Sequence, residues 1–236
     1  MTSAPLSIVI PTLNAMPRLA DCLASLVAGL SVGLIRDVVV VDAGSDDKSP
    51  ELALDMGCQV IQVGHSGRGR GQQLAVGAKA AKGDWLLFLH GDSVPLEGWI
   101  AACKVHIATA PHQAAYFQLG FDDQEPSALR VAFWANWRAR FFGLPYGDQG
   151  LLISRALYEA VGGFQPIALM EDVDLVRKLG KSRLCLLPAA VETSAERYRK
   201  GGWWYVPLRN LTLLAAFLCG VSPDRIKSWY RCDPSS

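Results

Sequence analysis

The sequence LLFLHGDS, residues 86–93, is a short apolar run that ends abruptly in polar residues. Continuous apolar runs of this length are typical of buried strands in a parallel sheet. In open α/β sheets, ligands bind beyond the carboxyl ends of such strands. We therefore predict a strand over residues 86–89, with Asp92 at its tip in a position to contact a ligand.

The sequence before this stretch predicts three more strands with helices between them. Apolar runs at residues 6–10, 38–41 and 60–63 predict the strands, and a helical pattern follows each of them. The order βαβαβαβ is the signature of a parallel sheet with right-handed crossovers. The fold class is therefore predicted to be α/β.

The second half of the chain is less regular and more aromatic. We predict helices over residues 96–108 and 127–142, and strands over 115–121 and 184–187. No stretch is rich enough in Pro, Gly or Ser to mark a linker. We therefore expect one domain over residues 1–236, with a first half (1–94), a second half (95–195) and a basic, aromatic, helical tail (196–236).

Composition limits the class of partner. The 23 basic and 22 acidic residues nearly cancel, which argues against nucleic acid as a partner. The six cysteines are isolated and the amino terminus lacks a secretory pattern, so we predict a cytoplasmic location. The apolar segment at 211–221 is too short to cross a bilayer, but it leaves open a peripheral contact of the tail with the inner face of the membrane.

The loop GHSGRGRGQQ, residues 64–73, has the composition of a diphosphate cradle. Its glycines allow backbone N–H groups to approach an anion, and Arg68 and Arg70 would neutralise the charge. The two arginines are equally compatible with ordinary solvated charges. The loop is neither a GxGxxG fingerprint nor a P-loop.

Four motifs, with the Gly/Arg loop and its helix between the second and the third, resemble the family 2 glycosyltransferases in order and spacing. They are SIVIPTLN (7–14), VVVDAGSDD (39–47), LFLHGD (87–92) and MEDVDL (170–175). The resemblance implies a GT-A fold, with a mostly parallel, Rossmann-like sheet flanked by helices, and an inverting transferase that uses a nucleotide-diphospho-sugar. It makes residues 1–94 the nucleotide-binding half and residues 95–195 the acceptor-side half. The tail sequence RYRKGGWW (197–204) is similar to a bacterial subgroup associated with radical-SAM neighbours and arsenosugar biosynthesis.

On the donor side, the resemblance places the nucleotide against Pro11, Thr12, Asn14 and Asp42. The chain departs from the family at two points. Ala43 stands where a second aspartate is common, and the family's DxD motif reads HGD, so that Asp92 is retained and His90 replaces the first aspartate. The implied cofactor is a divalent cation, Mn²⁺ or Mg²⁺, held by Asp92 and by substrate phosphates. A single carboxylate suffices for such an ion, whereas His90 is as plausible a strand-end histidine as it is a ligand.

On the acceptor side, the resemblance makes Asp172 the base that takes the proton of the acceptor hydroxyl, with Glu171 as second candidate. Two acids at a helix start are also explained by the helix dipole. Asp148 and Gln149 lie in a glycine-flanked loop and are candidates for contact with the acceptor or donor sugar, although turn chemistry explains them too.

The tail adds a basic segment and part of an aromatic set. The basic segment, Arg197, Arg199 and Lys200, resembles a family segment that closes over the diphosphate. The aromatic set is predicted to stack on sugars, to lie at a lipid interface or to pack in the core. It consists of Trp134, Trp137, Trp203, Trp204 and Tyr205.

The sequence thus predicts a metal-assisted transfer of a hexosyl or other glycosyl group to an unknown acceptor. Two alternatives stay open. A sugar-phosphate nucleotidylyltransferase has a similar sheet, but it needs its Gly/Arg loop directly after the first strand. A non-catalytic protein that binds nucleotide sugars is compatible with the degenerate HGD motif.

Overall fold

The fold is described from a computed structural model, in which residues 4–64 and 69–231 are described. Eight strands form one sheet: β1 (Leu6–Thr12), β2 (Ile35–Asp42), β3 (Gln59–Gln62), β4 (Trp85–Phe88), β5 (Val94–Pro95), β6 (Ala114–Phe121), β7 (Leu151–Ser154) and β8 (Leu184–Thr193). The helices are α1 (Arg18–Ser31), α2 (Ser49–Asp55), α3 (Arg70–Ala80), α4 (Trp99–Thr109), α5 (Pro126–Phe142), α6 (Arg155–Ala160), α7 (Glu171–Leu179), α8 (Glu196–Gly201), α9 (Tyr205–Leu218) and α10 (Pro223–Arg231).

The sheet has the strand order β3-β2-β1-β4-β7-β6-β8-β5. Strands β3, β2, β1 and β4 are parallel, as the βαβαβαβ pattern predicts. Strand β7 runs antiparallel to both β4 and β6, β8 is parallel to β6, and β5 is antiparallel to β8. The α/β class and the mostly parallel GT-A type sheet are confirmed.

Helices cover both faces of the sheet, so the central strands are apolar on both sides. On one face, Leu19 and Leu23 of α1 pack with Trp99 of α4. On the other face, Leu74 of α3 packs with Leu175 of α7. A third cluster lies between β6, α5 and the tail. The predicted helical tail is confirmed for the residues described, up to Arg231.

Among the elements whose bounds differ from the prediction, α4 and β8 have a clear local cause. Helix α4 begins at Trp99 rather than at residue 96, because Pro95 pairs in β5 and Gly98 turns the chain with a φ of 88°. Strand β8 runs to Thr193 rather than to residue 187. It continues past Pro188 because its register with β6 shifts there, which accommodates a residue without an N–H donor.

Gly77 sets how closely α3 approaches the sheet. A Cβ at this position would lie 2.3 Å from Val9 Cγ1 and 3.0 Å from Val41 Cγ2. We expect Gly77→Ala to lower the free energy of unfolding by about 1 to 2 kcal/mol, because overpacking outweighs the gain in helix propensity. Chemical denaturation measures the change. Gly120→Ala is the control, since its Cβ would meet only Val191 O at 3.7 Å, and it should change stability little.

Candidate functional site at the carboxyl edge of the sheet

The sheet topology brings the predicted site residues to one edge. Strands β1, β2 and β4 end there, with Asp92 just beyond β4. Because β7 is antiparallel to β4, its first residue Leu151 pairs with Phe88, and the turn Gly147–Gln149 lies beside His90. Strand β8 also ends at this edge, since it is parallel to β6, and it leads directly into α8.

The Asp42 carboxylate organises the loops at the ends of β1 and β2. One oxygen accepts hydrogen bonds from the Thr12 and Ser45 hydroxyls, and the other accepts from the N–H groups of Gly44 and Ser45, both at 2.9 Å. Asn14, with a φ of 51°, accepts from Asp46 N–H at 2.8 Å. Asp42 is buried, so its structural role is to hold these loops together. The contacts of Pro11, Thr12, Asn14 and Asp42 with a nucleotide stay predictions.

Gln73 connects α3 to the same edge, and sequence reasoning missed it. Its side-chain amide donates to the Thr12 carbonyl at 3.0 Å and to the Val41 carbonyl at 2.8 Å. It lies only three residues after Arg70, the first residue of α3. The sequence shows two successive glutamines, Gln72 and Gln73, at the end of the Gly/Arg loop. Which of them is buried and bonds to the sheet depends on the tertiary structure.

Arg70 lies at the junction of α3 and α7. Its Nε is 3.8 Å from Glu171 Oε1, and a Cβ on the next residue, Gly71, would lie 3.0 Å from Glu171 Cβ. A side chain at Gly71 would therefore prevent the first turns of α3 and α7 from packing this closely. Arg68 lies outside the described residues, so only Arg70 of the predicted cradle is placed at the site.

His90 is held as a neutral imidazole. Burial and the nearby charges of Arg70 and Arg197 hold its pKa well below the usual value. Its Nε2 is buried without a hydrogen-bond partner in the described part of the chain. This atom lies against Gly147, where a Cβ would be only 2.6 Å away. The ring therefore fills the floor of the cleft between β4 and the Gly147–Gln149 turn.

Asp172 points its carboxylate at the turn opposite His90. One oxygen accepts the Gly147 N–H at 2.8 Å, and the other accepts the Val173 N–H at 2.7 Å. Its neighbour Glu171 is buried, and its pKa is raised by burial and by the charge of Asp172, against the opposing effect of Arg70. Both predicted acids line the cleft, together with Arg70 and His90.

The two candidates in the turn have different environments. Gln149 is fully buried, and its amide donates to Phe117 O at 3.1 Å, so it holds the turn against β6. Asp148 Oδ1 is buried with no hydrogen-bond partner among the described residues. Burial, together with the charges of Asp172 and Asp92, raises the pKa of Asp148 to about 6.

Three residues that the sequence did not single out surround Asp148. The Arg138 guanidinium stacks over the Tyr146 ring at 3.4 Å and lowers the pKa of Asp148. The charge of Asp148 contributes to raising the pKa of Tyr198 to about 12, although burial is the main cause. An arginine inside an aromatic helix and tyrosines near Gly/Asp turns are too common for sequence alone to identify them.

The tail brings one basic residue to the site. Burial and the charges of Arg209 and Arg70 lower the pKa of Arg197, and Arg197 in turn acts on His90. Arg199 instead pairs with Asp122 at 3.0 Å and with Asp123 at 3.1 Å, and Lys200 pairs with Glu196 on the surface. Only Arg197 of the predicted basic segment therefore lies near the cleft.

Asp148→Asn should make the protein more stable at neutral pH. Since burial raises its pKa from an ordinary 3.8 to about 6, the folded state binds this proton more tightly than the unfolded state. The resulting cost to stability is small below pH 4, develops between pH 4 and 6, and is complete at pH 7. We expect the asparagine variant to gain about 1 to 3 kcal/mol at pH 7 and nothing at pH 4, measured by denaturation without ligand. An equal change at both pH values would contradict this.

The protein offers few ligands of its own for a metal ion near Asp92. The described residues contain no group of three or more His, Cys, Asp or Glu that could hold a metal ion without further ligands. The Asp92 carboxylate is partly exposed and makes no hydrogen bond or ion pair with any of them. A carboxylate left free in this way fits a cation that takes its other ligands from phosphates and water. His90 fits less well, because its Nε2 faces Gly147.

Comparison with known proteins identifies the family. The model of the family described as Glycosyl transferase family 2 matches residues 7–154, more than half of the chain. The chain belongs to glycosyl transferase family 2. The matched range contains β1 to β4, the HGD motif and the Gly147–Gln149 turn of this family 2 glycosyltransferase.

Solved structures share the fold. TarS (residues 1–349) of S. aureus is 16% identical with a TM-score of 0.64, over 89% of this chain and 64% of that one. Glucosyl-3-phosphoglycerate synthase of Mycobacterium tuberculosis, in complex with Mn²⁺, UDP and glucosyl-3-phosphoglycerate, is 17% identical with a TM-score of 0.56, over 81% and 70%. GalNAc-T7 with UDP, GalNAc and Mn²⁺ is 16% identical with a TM-score of 0.60, over 82% and 44%.

This chain covers only part of the length of the solved structures that share its fold. The family 2 chain spans 64% of TarS 1–349 and 39% of a longer TarS structure, so it is shorter than these relatives. A search of curated proteins found no match. No helix within residues 4–64 and 69–231 is long and apolar enough to cross a membrane.

Proposed function

We propose that this family 2 chain transfers a sugar from a nucleotide-diphospho-sugar to an acceptor hydroxyl, with inversion at the sugar carbon. The observation that carries the proposal is that two differently equipped carboxylates, Asp172 and Asp92, lie close enough to Asp148 for the charge of each to raise its pKa. Asp172 is fixed by backbone N–H groups, and Asp92 carries no protein partner among the described residues. The environment of Asp172 suits a general base, and that of Asp92 suits a ligand for a cation bound to the diphosphate.

Donor binding is assigned to the ends of β1, β2 and β4. The loops held by Asp42 would contact the nucleoside, and Asp92 would hold Mn²⁺ or Mg²⁺ against the diphosphate. Such a cation offsets charge on the departing nucleoside diphosphate. Arg70 and Arg197 would also offset the charge of the departing nucleoside diphosphate. Both lie near the site, because their charges lower the pKa of His90.

Transfer is assigned to Asp172. It takes the proton of the acceptor hydroxyl as that oxygen attacks the sugar carbon from the face opposite the leaving diphosphate. The hydrogen bond from Gly147 N–H orients the Asp172 carboxylate. His90 beside it has a lowered pKa and is neutral, so it does not form an ion pair with this carboxylate. Glu171 is the second candidate, since it is buried and faces Arg70. Asp148 is assigned to the sugar or the acceptor.

The solved structures support the choice of first ligands. Glucosyl-3-phosphoglycerate synthase was crystallised with UDP-glucose and with Mn²⁺, and with UDP and Mg²⁺. TarS 1–349 was crystallised with UDP. UDP sugars are therefore the first donors to test here, while the base, the sugar and the acceptor stay open.

A thermal-shift panel tests the proposal. UDP, GDP, dTDP and their sugars are added with and without Mn²⁺, and release of nucleoside diphosphate is then followed for any donor that binds. A true donor at a hundredfold excess over Kd should stabilise the protein by about 2.7 kcal/mol. No shift with any nucleotide would refute donor binding. Pyrophosphate release from a nucleoside triphosphate and a sugar phosphate would favour a nucleotidylyltransferase instead.

A non-catalytic nucleotide-sugar binding protein is the second candidate, favoured by His90 in place of an aspartate. Metal-dependent binding of a donor, without release of its nucleoside diphosphate to water or to any acceptor in a cell extract, would support it. Membership of the radical-SAM-associated subgroup, cytoplasmic location and contact of the tail with the inner face of a membrane stay predictions.

A further inference from the structure

Helix α5 exposes an aromatic face that the cleft does not use. Its aromatic ridge consists of Phe133, Trp134, Trp137, Phe141 and Phe142, which are 37% to 61% exposed. Neighbouring rings contact each other edge-on or tilted, with centroids 5.2 to 5.6 Å apart. A continuous exposed row of this kind marks an interaction surface rather than scattered surface hydrophobes.

The ridge continues onto α9. Trp204, just before this helix, is 74% exposed, and Leu208, Leu211 and Leu218 follow at helical spacing, each at least 45% exposed. The Arg130 guanidinium of α5 lies 4.1 Å from the centre of the Trp204 ring and joins the two rows. Beneath the junction, Val131 and Ala195 pack in the third core cluster, so the surface has a fixed support.

The helices that form this surface carry mainly positive charge, and of the acids just before α5, Asp122 and Asp123 pair with Arg199 while Glu125 is exposed. Helices α5, α9 and α10 carry seven arginine and lysine residues and one acidic residue, Asp224, although the whole chain is nearly neutral. Two more cations, Lys181 and Arg183, lie at the carboxyl end of α5, where Lys181 Nζ donates to Phe141 O at 2.8 Å. This segregation of charge indicates an anionic partner.

We propose that the aromatic ridge and the α9 row dock on the surface of an anionic phospholipid bilayer. Trp and Phe side chains favour the level of the headgroups, and Lys and Arg attract anionic lipid. A second copy of the chain fits less well, because a two-fold interface would bring two positively charged faces together. The sequence predicted a contact through the tail and left a lipid interface open for Trp134 and Trp137, and the structure adds Phe133, Phe141 and Phe142 of α5 to that surface.

The surface is connected to the cleft. Arg138 of α5 stacks on Tyr146, and the Gly147 N–H that follows in the chain donates to Asp172. Docking through α5 therefore brings the acceptor side of the cleft close to the lipid headgroups. The inference does not depend on sugar transfer, because it rests on the exposed face and its charge.

Vesicle sedimentation with the full chain tests the inference. Neutral phosphatidylcholine vesicles are compared with vesicles containing phosphatidylglycerol, at low and at physiological salt. Wild type should bind the anionic vesicles, and more weakly as salt rises. The ridge variant, Phe133→Ser with Trp134→Ser and Phe141→Ser, and the charge variant, Arg140→Glu with Arg225→Glu, should each lose about tenfold or more in partitioning.

Two controls separate docking from folding and from catalysis. Leu54→Ser with Val105→Ser removes equally exposed apolar side chains from α2 and α4, and it should bind vesicles like wild type. Asp92→Ala should also bind like wild type, which keeps this test independent of donor binding. Equal binding to neutral and anionic vesicles, or full binding by the ridge variant, would overturn the inference. A dimer that the ridge substitutions separate, with no vesicle binding, would assign the face to a second copy.

Discussion

Asp172→Asn is expected to lower the rate of sugar transfer about a thousandfold while the protein stays folded. A positioned general base typically contributes a factor of about 10² to 10⁴, and an amide cannot accept the proton. The carboxylate is fixed at both oxygens, by Gly147 N–H and by Val173 N–H, so little rearrangement is needed for it to act. Release of nucleoside diphosphate from the bound donor, with and without acceptor, measures the loss.

The substitution should leave the fold and donor binding intact. The asparagine oxygen replaces one of the two acceptors, so the cost is one hydrogen bond, about 1 kcal/mol. Asp174→Asn is the matched control: it lies two residues along the same helix and pairs with Lys178 at 2.7 Å. We expect that variant to keep its activity, because a partly exposed pair one turn apart on a helix contributes little.

The outcomes distinguish the two acids of α7. If Asp172→Asn keeps full activity and Glu171→Gln abolishes it, the base is Glu171. If both variants keep the wild-type rate while the donor still binds, neither acid is the base. A folded Asp172→Asn protein that loses donor binding as well would make Asp172 a binding residue instead.

The first half of the fold could be predicted from the sequence, because each of its strands is a continuous apolar run and the strands follow one another in a βαβ order. Buried parallel strands are apolar throughout, so β1, β2 and β4 could be predicted from composition, and polar residues after them marked the edge where ligands bind. Asp42 and Asp92 were found in this way. The partners of the Asp42 carboxylate were not, because they come from loops whose conformation depends on the strands being side by side.

The acceptor side of the site could not be predicted to the same extent. It depends on β7 running antiparallel to β4, a pairing between residues more than sixty positions apart, which places Gly147 against His90. Neither Arg138 nor Arg197 has a local signal for its position, because each reaches Asp148 or His90 only through tertiary packing. Nothing in the sequence of the turn indicates that the pKa of Asp148 is raised, because burial and the charges of distant residues cause the shift.

Asp92→Ala is expected to abolish the cation-dependent part of nucleotide binding. If Asp92 supplies the protein carboxylate to the cation, wild type should show a shift of roughly 5 °C or more with a saturating nucleoside diphosphate and Mn²⁺, and the variant almost none. Titration of Mn²⁺ at fixed nucleotide, followed by thermal shift and by calorimetry, measures the difference. Asp84→Ala, at the opposite end of β4, is the control and should behave like wild type.

The unliganded Asp92→Ala protein provides the internal check on this result. Since the charge of Asp92 helps to raise the pKa of Asp148, its removal relieves a repulsion, and the apo variant should be as stable as wild type or slightly more stable. Loss of the shift would then reflect a lost ligand and not a damaged fold. A variant that keeps the whole Mn²⁺-dependent shift would show that the cation is held elsewhere, and the retained aspartate of the HGD motif would be a turn residue only.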